Sequence, residues 1–173
     1  ISGESMFNFR IFDMVWQALT AYILFIIAFR LTQKKLLSML AAFLYLLLYF
    51  RQDYWHTLQA DGSLNLPFAI CVLLLISSYD RHSFVKIFLA GIMFTAALLF
   101  KYTIISFLPL LIICFFFYGK EISSIRIKNF AAFMFGVIFL TGLVVILYVS
   151  TGAFKEFVNI QFVQTPLYTK IAY

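Results

Sequence analysis

The sequence predicts an all-α, polytopic membrane protein, with about six transmembrane helices and a C-terminal interfacial helix. Three observations carry that prediction. The 173 residues are 64% hydrophobic and only 12% charged, where a soluble domain has about a quarter of its residues charged. The apolar residues fall in long runs, and about 20 in a row cross a hydrocarbon core as a helix. The 13 Lys and Arg sit in small groups between those runs, which is a topology pattern and not a nucleic-acid patch.

The first span runs from about Ile11 to Leu31, interrupted by Asp13 and Gln17. The second covers about Lys35 to Phe50 and the third about Leu64 to Tyr79. The fourth is expected over Phe84 to Phe100, the fifth over Tyr102 to Tyr118 and the sixth over Phe130 to Val149. Ser63 or Asn65 can cap the third helix, with Pro67 in its first turn, where a missing N–H is harmless. Gly91 with Ala90, Ala96 and Ala97 lends the fourth helix a small-residue face for close packing. Pro109 predicts a kink inside the fifth, and Gly119 its end. The tail, residues 152–173, alternates Phe154, Phe157 and Val158 with Lys155, Glu156 and Asn159, as an amphipathic helix lying on the membrane surface does.

Orientation follows from the cations. Arg30, Lys34, Lys35, Arg81, Lys86, Lys120, Arg126 and Lys128 occupy alternate short loops, and the positive-inside rule puts those loops in the cytoplasm. The first ten residues, the segment Tyr54–Ser63, Lys101 and the tail then share the outer side. Residues 1–173 read as one transmembrane domain. The opening Ile1-Ser2-Gly3-Glu4, with no initiator Met, reads as a piece of a longer membrane protein. Cys71 and Cys114 lie inside apolar runs without a CxxC pair or His/Cys cluster, as buried small hydrophobes do.

Two polar islands interrupt the apolar sequence. Tyr54 to Ser63 brings together His56, Gln59, Asp61 and the preceding Asp53, with Trp55 and Tyr54 at interfacial depth. Asp53, His56 and Gln59 recur every three residues, so a helical loop stacks them on one side. These carboxylates can serve as a base, bind a divalent cation or solvate a loop. The motif specifies no metal. Lys101 is the second island, between Phe100 and Tyr102. A charge there either snorkels at a tight helical hairpin or meets an anion such as the phosphate of a lipid carrier. Asp13 stands one turn after Arg10 and within reach of it.

These segments, taken in order, resemble the GT-C-type membrane glycosyltransferases, in particular the dolichyl-phosphate-mannose protein mannosyltransferase-like enzymes of glycosyltransferase family 39. Phe9-Arg10-Ile11-Phe12-Asp13 and the span after it resemble the family's segment beyond the first outer loop. Trp55 through Gln59-Ala60-Asp61-Gly62 resembles its W-x-x-x-Q-x-D-G loop. Leu89 to Thr103 resembles its aGlllGlalllKpt signature, with Thr95 replacing the second glycine and Tyr102 the proline. The tail from Gly152 through Pro166 resembles a later outer segment. The resemblance implies inverting transfer of a sugar from a polyprenyl-phosphate carrier to an acceptor at the outer membrane face. It further implies a bacterial inner membrane or a lumenal face, and an acceptor that is protein, glycolipid or polysaccharide. His56, Gln59, Asp61 and Gly62 would line the substrate cavity, with Asp61 a candidate catalytic carboxylate. Lys101 would bind the carrier phosphate, a divalent metal cation could assist the departing phosphate, and the main base is expected ahead of residue 1. A transporter or flippase module, or a non-enzymatic membrane scaffold subunit, is the alternative reading. Outer-face islands without an internal repeat fit transfer at an interface better than passage through a pore.

Overall fold

The computed structural model describes residues 6–51, 60–79, 83–117, 123–160 and 163. All of their regular structure is helical. Helix α1 spans Met6–Thr32, α2 Lys35–Arg51, the single turn α3 Ala60–Ser63, α4 Asn65–Tyr79 and α5 Phe84–Phe100. A 3₁₀ segment over Tyr102–Phe107 leads into α6, Leu108–Phe117, followed by α7, Ser123–Ser150, and α8, Phe154–Asn159. Among the described residues, three stretches are long and apolar enough to cross a membrane: Phe7–Thr32, Asp61–Ser78 and Ser124–Ser150. Phe84–Phe100 and Tyr102–Ile113 are apolar but shorter. Of the interfacial tail, the described part is α8 with Ile160 and Val163.

The chain forms two compact units, Ile1–Val137 and Ile138–Tyr173. In the first, α1 packs along α2 and α4, and α4 along α5. Only Gln33 and Lys34 separate α1 from α2. Gln33 takes a positive φ of 55° and donates its N–H to the Phe29 carbonyl at 2.8 Å, closing α1 and turning the chain back as an antiparallel hairpin. The N-terminal ends of α1 and α4 and the C-terminal ends of α2 and α5 therefore gather at one end of the unit. At the other end, the Arg30 guanidinium donates to the Ser77 hydroxyl at 2.6 Å, and the Lys86 ammonium to the Ser77 carbonyl at 3.3 Å. The core joins Cys71, Ile87, Ala90, Phe94, Ala97 and Phe133. Cys71 is fully buried and a free thiol, as its apolar surroundings predict; the Cys114 side chain lies outside the described residues.

The small-residue face of α5 meets α7. A Cβ on Gly91 would stand 2.1 Å from the Phe133 carbonyl oxygen, and one on Gly136 would stand 2.1 Å from that of Phe88. Only hydrogen fits at either position, so the two backbones touch. Ala90 and Ala97 are buried beside this crossing, and Ala96 is half-buried. In the second unit, Gly152 at φ 72° ends α7, and Tyr148 stacks on Phe157 of α8 with ring centroids 4.4 Å apart.

The fifth predicted span differs from its expectation. A continuous α-helix kinked at Pro109 was expected from Tyr102; the chain instead runs as 3₁₀ to Phe107 and becomes α-helical at Leu108. The cause is one residue further on. Pro109 has no N–H to offer the Ile105 carbonyl four residues back, and that carbonyl accepts from Leu108 N–H, three residues on, in the tighter 3₁₀ pattern. Pro109 then sits in the first turn of α6, where its ring is tolerated.

Candidate functional site

The short turn α3 lies against α1, α4 and α5 at the end of the unit where α5 stops, and the site is built around that turn. Asp61 is its second residue and Gly62 its third. Lys101 follows the last residue of α5 with extended backbone, φ −154° and ψ 119°, and its N–H closes the helix on the Ala97 carbonyl. This break sends the side chain out of the apolar helix. Its ammonium forms an ion pair with the Asp61 carboxylate, joining residues 40 apart in sequence. The pair is partly open, with Lys101 37% and Asp61 62% exposed. Asp61 of the first polar island and Lys101, the second, therefore meet in the structure.

Beneath the pair lies a buried polar network that the sequence reading did not assemble. Asp13 and Gln17, one turn apart on α1, are 4% and 0% exposed. Tyr49 of α2 donates its hydroxyl to both Asp13 carboxylate oxygens, at 2.9 and 3.0 Å. The Gln17 amide donates to Asp13 at 3.1 Å and to the Gly62 carbonyl at 3.5 Å. Its oxygen accepts from the Tyr45 hydroxyl at 2.5 Å, and Tyr45 accepts from the Asn65 amide at 3.2 Å. Trp16, in contact with Phe100 at an edge-to-face centroid distance of 6.4 Å, donates its indole N–H to the Ser63 carbonyl at 3.0 Å. The signal for this network was spacing. Asp13/Gln17 and Tyr45/Tyr49 are both i, i+4 pairs near helix ends that share one side of the membrane, so each pair forms one polar patch on its helix.

Gly62 fits against that network. A Cβ there would stand 2.9 Å from the Tyr49 hydroxyl and 3.2 Å from the Gln17 amide nitrogen. Of the residues singled out in the sequence, Asp61, Gly62 and Lys101 thus come together. His56 and Gln59, with Asp53, Tyr54 and Trp55, lie outside the described residues. Among the described residues, no group of three or more His, Cys, Asp or Glu gathers. The Asp61 carboxylate faces an ammonium.

Chemically, the arrangement offers one accessible cation at the end of an apolar helix, beside a carboxylate that can let it go. A buried scaffold holds the carboxylate's backbone. A family model described as dolichyl-phosphate-mannose-protein mannosyltransferase matches residues 1–149. No curated protein and no solved structure matches the chain.

Proposed function

The chain belongs to the dolichyl-phosphate-mannose-protein mannosyltransferase family, and we propose that its Lys101–Asp61 pair serves sugar transfer from a polyprenyl-phosphate carrier to an acceptor at the outer face of a bacterial inner membrane. The observation that carries this reading is the ion pair itself, a partly exposed cation and anion brought together from two separate islands at one end of the unit.

The chemistry follows from the residue types. When the bond between the sugar's anomeric carbon and the carrier oxygen breaks, negative charge grows on the carrier phosphate. A fixed ammonium beside that oxygen lowers the barrier by stabilising the charge as it develops. Lysine suits the task because its ammonium is a compact point charge on a flexible stem. Until the carrier arrives, Asp61 holds the ammonium at the outer end of α5. When the phosphate takes the ammonium, the Asp61 carboxylate is released beside the sugar. The outer-face assignment is supported by the basic residues at the opposite end, Arg30, Lys34, Lys35 and Lys86.

The test is Lys101→Ala in the full-length protein in membranes. Transfer from a polyprenyl-phosphate sugar is expected to fall on the order of 100-fold, the usual cost of losing one charge-stabilising donor, with Lys101→Arg retaining more activity than Lys101→Ala. Normal turnover by Lys101→Ala at normal expression would remove Lys101 from the phosphate site.

A further inference from the structure

We infer that the buried network of α1 and α2 is a positioning device for Asp61, with Trp16 and Gln17 its working ends and Tyr49 and Asp13 the groups that hold Gln17. The inference rests on the proposed role of the Lys101–Asp61 pair, and it concerns residues outside that pair.

Asp61 is largely exposed and stands on a single helical turn of four residues. Such a turn is not stable alone, because helix nucleation fixes several residues for one hydrogen bond. The turn runs into α4 across Leu64, and α1 holds it from the side. The two carbonyls that follow Asp61 are both held by α1: Gly62 accepts from Gln17 and Ser63 from Trp16. Trp16 packs against the rings of Phe12 and Phe100. The Gln17 amide spends its hydrogens on Asp13 and Gly62, and its oxygen on Tyr45. Its orientation is therefore settled by three partners at once. Tyr49 fastens the Asp13 carboxylate through both oxygens. Gly62 completes the fit, because a side chain there would collide with Tyr49 and Gln17.

The network also sits where polar groups are costly. Its α1 members lie inside the first membrane-spanning stretch, Phe7–Thr32, and Asp13, Gln17 and Thr20 are each less than 5% exposed. Buried intramembrane carboxylates are rare and functional by default. A smaller apolar core would have joined α1 to α2 at lower cost. Here every named bond of the network ends on Asp61's own turn or on a residue that supports it.

The experiment reads geometry and turnover separately. In the full-length protein with Cys71→Ala and Cys114→Ala, the pair Asp61→Cys and Lys101→Cys is joined by a short bifunctional thiosulfonate in native membranes. Adding Trp16→Phe or Tyr49→Phe, each of which keeps an aromatic ring but removes the donor, is expected to lower the crosslinking yield about fivefold. Ser38→Ala, which removes a buried serine bonded to the Lys34 carbonyl at the far end of the unit, is expected to leave the yield as it was. If one aromatic variant fails to express, the other carries the test. Equal yields with and without the aromatic substitutions overturn the proposal, and so does an equal loss in Ser38→Ala, which would mean general loosening.

Turnover is measured in the chain that keeps Asp61 and Lys101. There Trp16→Phe is expected to lower transfer, and to lower it no further once Asp61→Asn is present, because residues acting through one another are not additive. Additive losses overturn the positioning role. A lowered crosslinking yield alongside normal turnover by Lys101→Ala would instead keep the positioning device and remove the transferase role of the pair.

Discussion

The Lys101–Asp61 pair, proposed above to serve transfer, contributes little to stability. Both partners are partly exposed, and exposed pairs contribute between about 0 and 1 kcal/mol. Asp61→Asn is therefore expected to change the unfolding free energy by less than about 1 kcal/mol in detergent thermal melts, while transfer falls clearly. A melt shifted far beyond that would make Asp61 a structural residue. Asp13 and Gln17 are the reverse case. They are buried, and removing one partner strands the other without water, at a cost of about 1–3 kcal/mol. The sequence marked Asp61 and Lys101 because each was polar among apolar neighbours. It left Tyr45 and Tyr49 unmarked because tyrosines near a membrane boundary are ordinary interfacial residues. Their hydroxyls acquire a purpose only once α2 is laid against α1.

Single residues at helix crossings and ends decide the elements. Helix α5 is held against α7 through Gly91 and Gly136, where the backbones touch. In lipid, such close packing replaces the hydrophobic drive that joins helices in water. Gly91→Ala introduces a methyl 2.1 Å from the Phe133 carbonyl, and the helices must part to admit it. A loss of about 1–3 kcal/mol is expected, read as a lower melting temperature in detergent. An unchanged melt would mean that the crossing does not bear on stability. Ala96→Val, at a half-buried position, is expected to be milder. Pro109 acts at the same scale. Its missing N–H sets where the 3₁₀ segment ends, and the sequence foretold a disturbance there but placed it inside a longer helix.

The unit as a whole is polar in places inside and apolar outside. Its buried set includes Asp13, Gln17, Thr20, Ser38, Thr95 and Asn129. Large apolar side chains such as Leu36, Phe43, Leu48 and Phe135 face outward. In water that arrangement would aggregate. In lipid it is the stable one, since apolar groups lose nothing there and polar groups find partners within the bundle. The proposed orientation has a direct check. A cysteine replacing Tyr102, which is exposed near Lys101, is expected to react with a membrane-impermeant maleimide added to the outer side. A cysteine replacing Lys34, exposed at the opposite end, is expected to react only after the membrane is opened. The reverse pattern would move the ion pair to the cytoplasm.

By itself the sequence determined the helical membrane class, the extents of α2, α4 and α5 to within about two residues, and the two polar islands. Each is local information: run length, spacing, a cap, a stranded charge. It also carried the family resemblance, through motifs spread over most of the chain. Only the tertiary structure decided that Asp61 and Lys101 are partners, since a pair 40 residues apart has no signature in spacing. Only it showed the Asp13–Gln17–Tyr49 network beneath them. Hydrogen bonds between helices depend on which faces meet, and those faces are set by the packing of Gly62, Gly91 and their neighbours rather than by any one helix's own pattern.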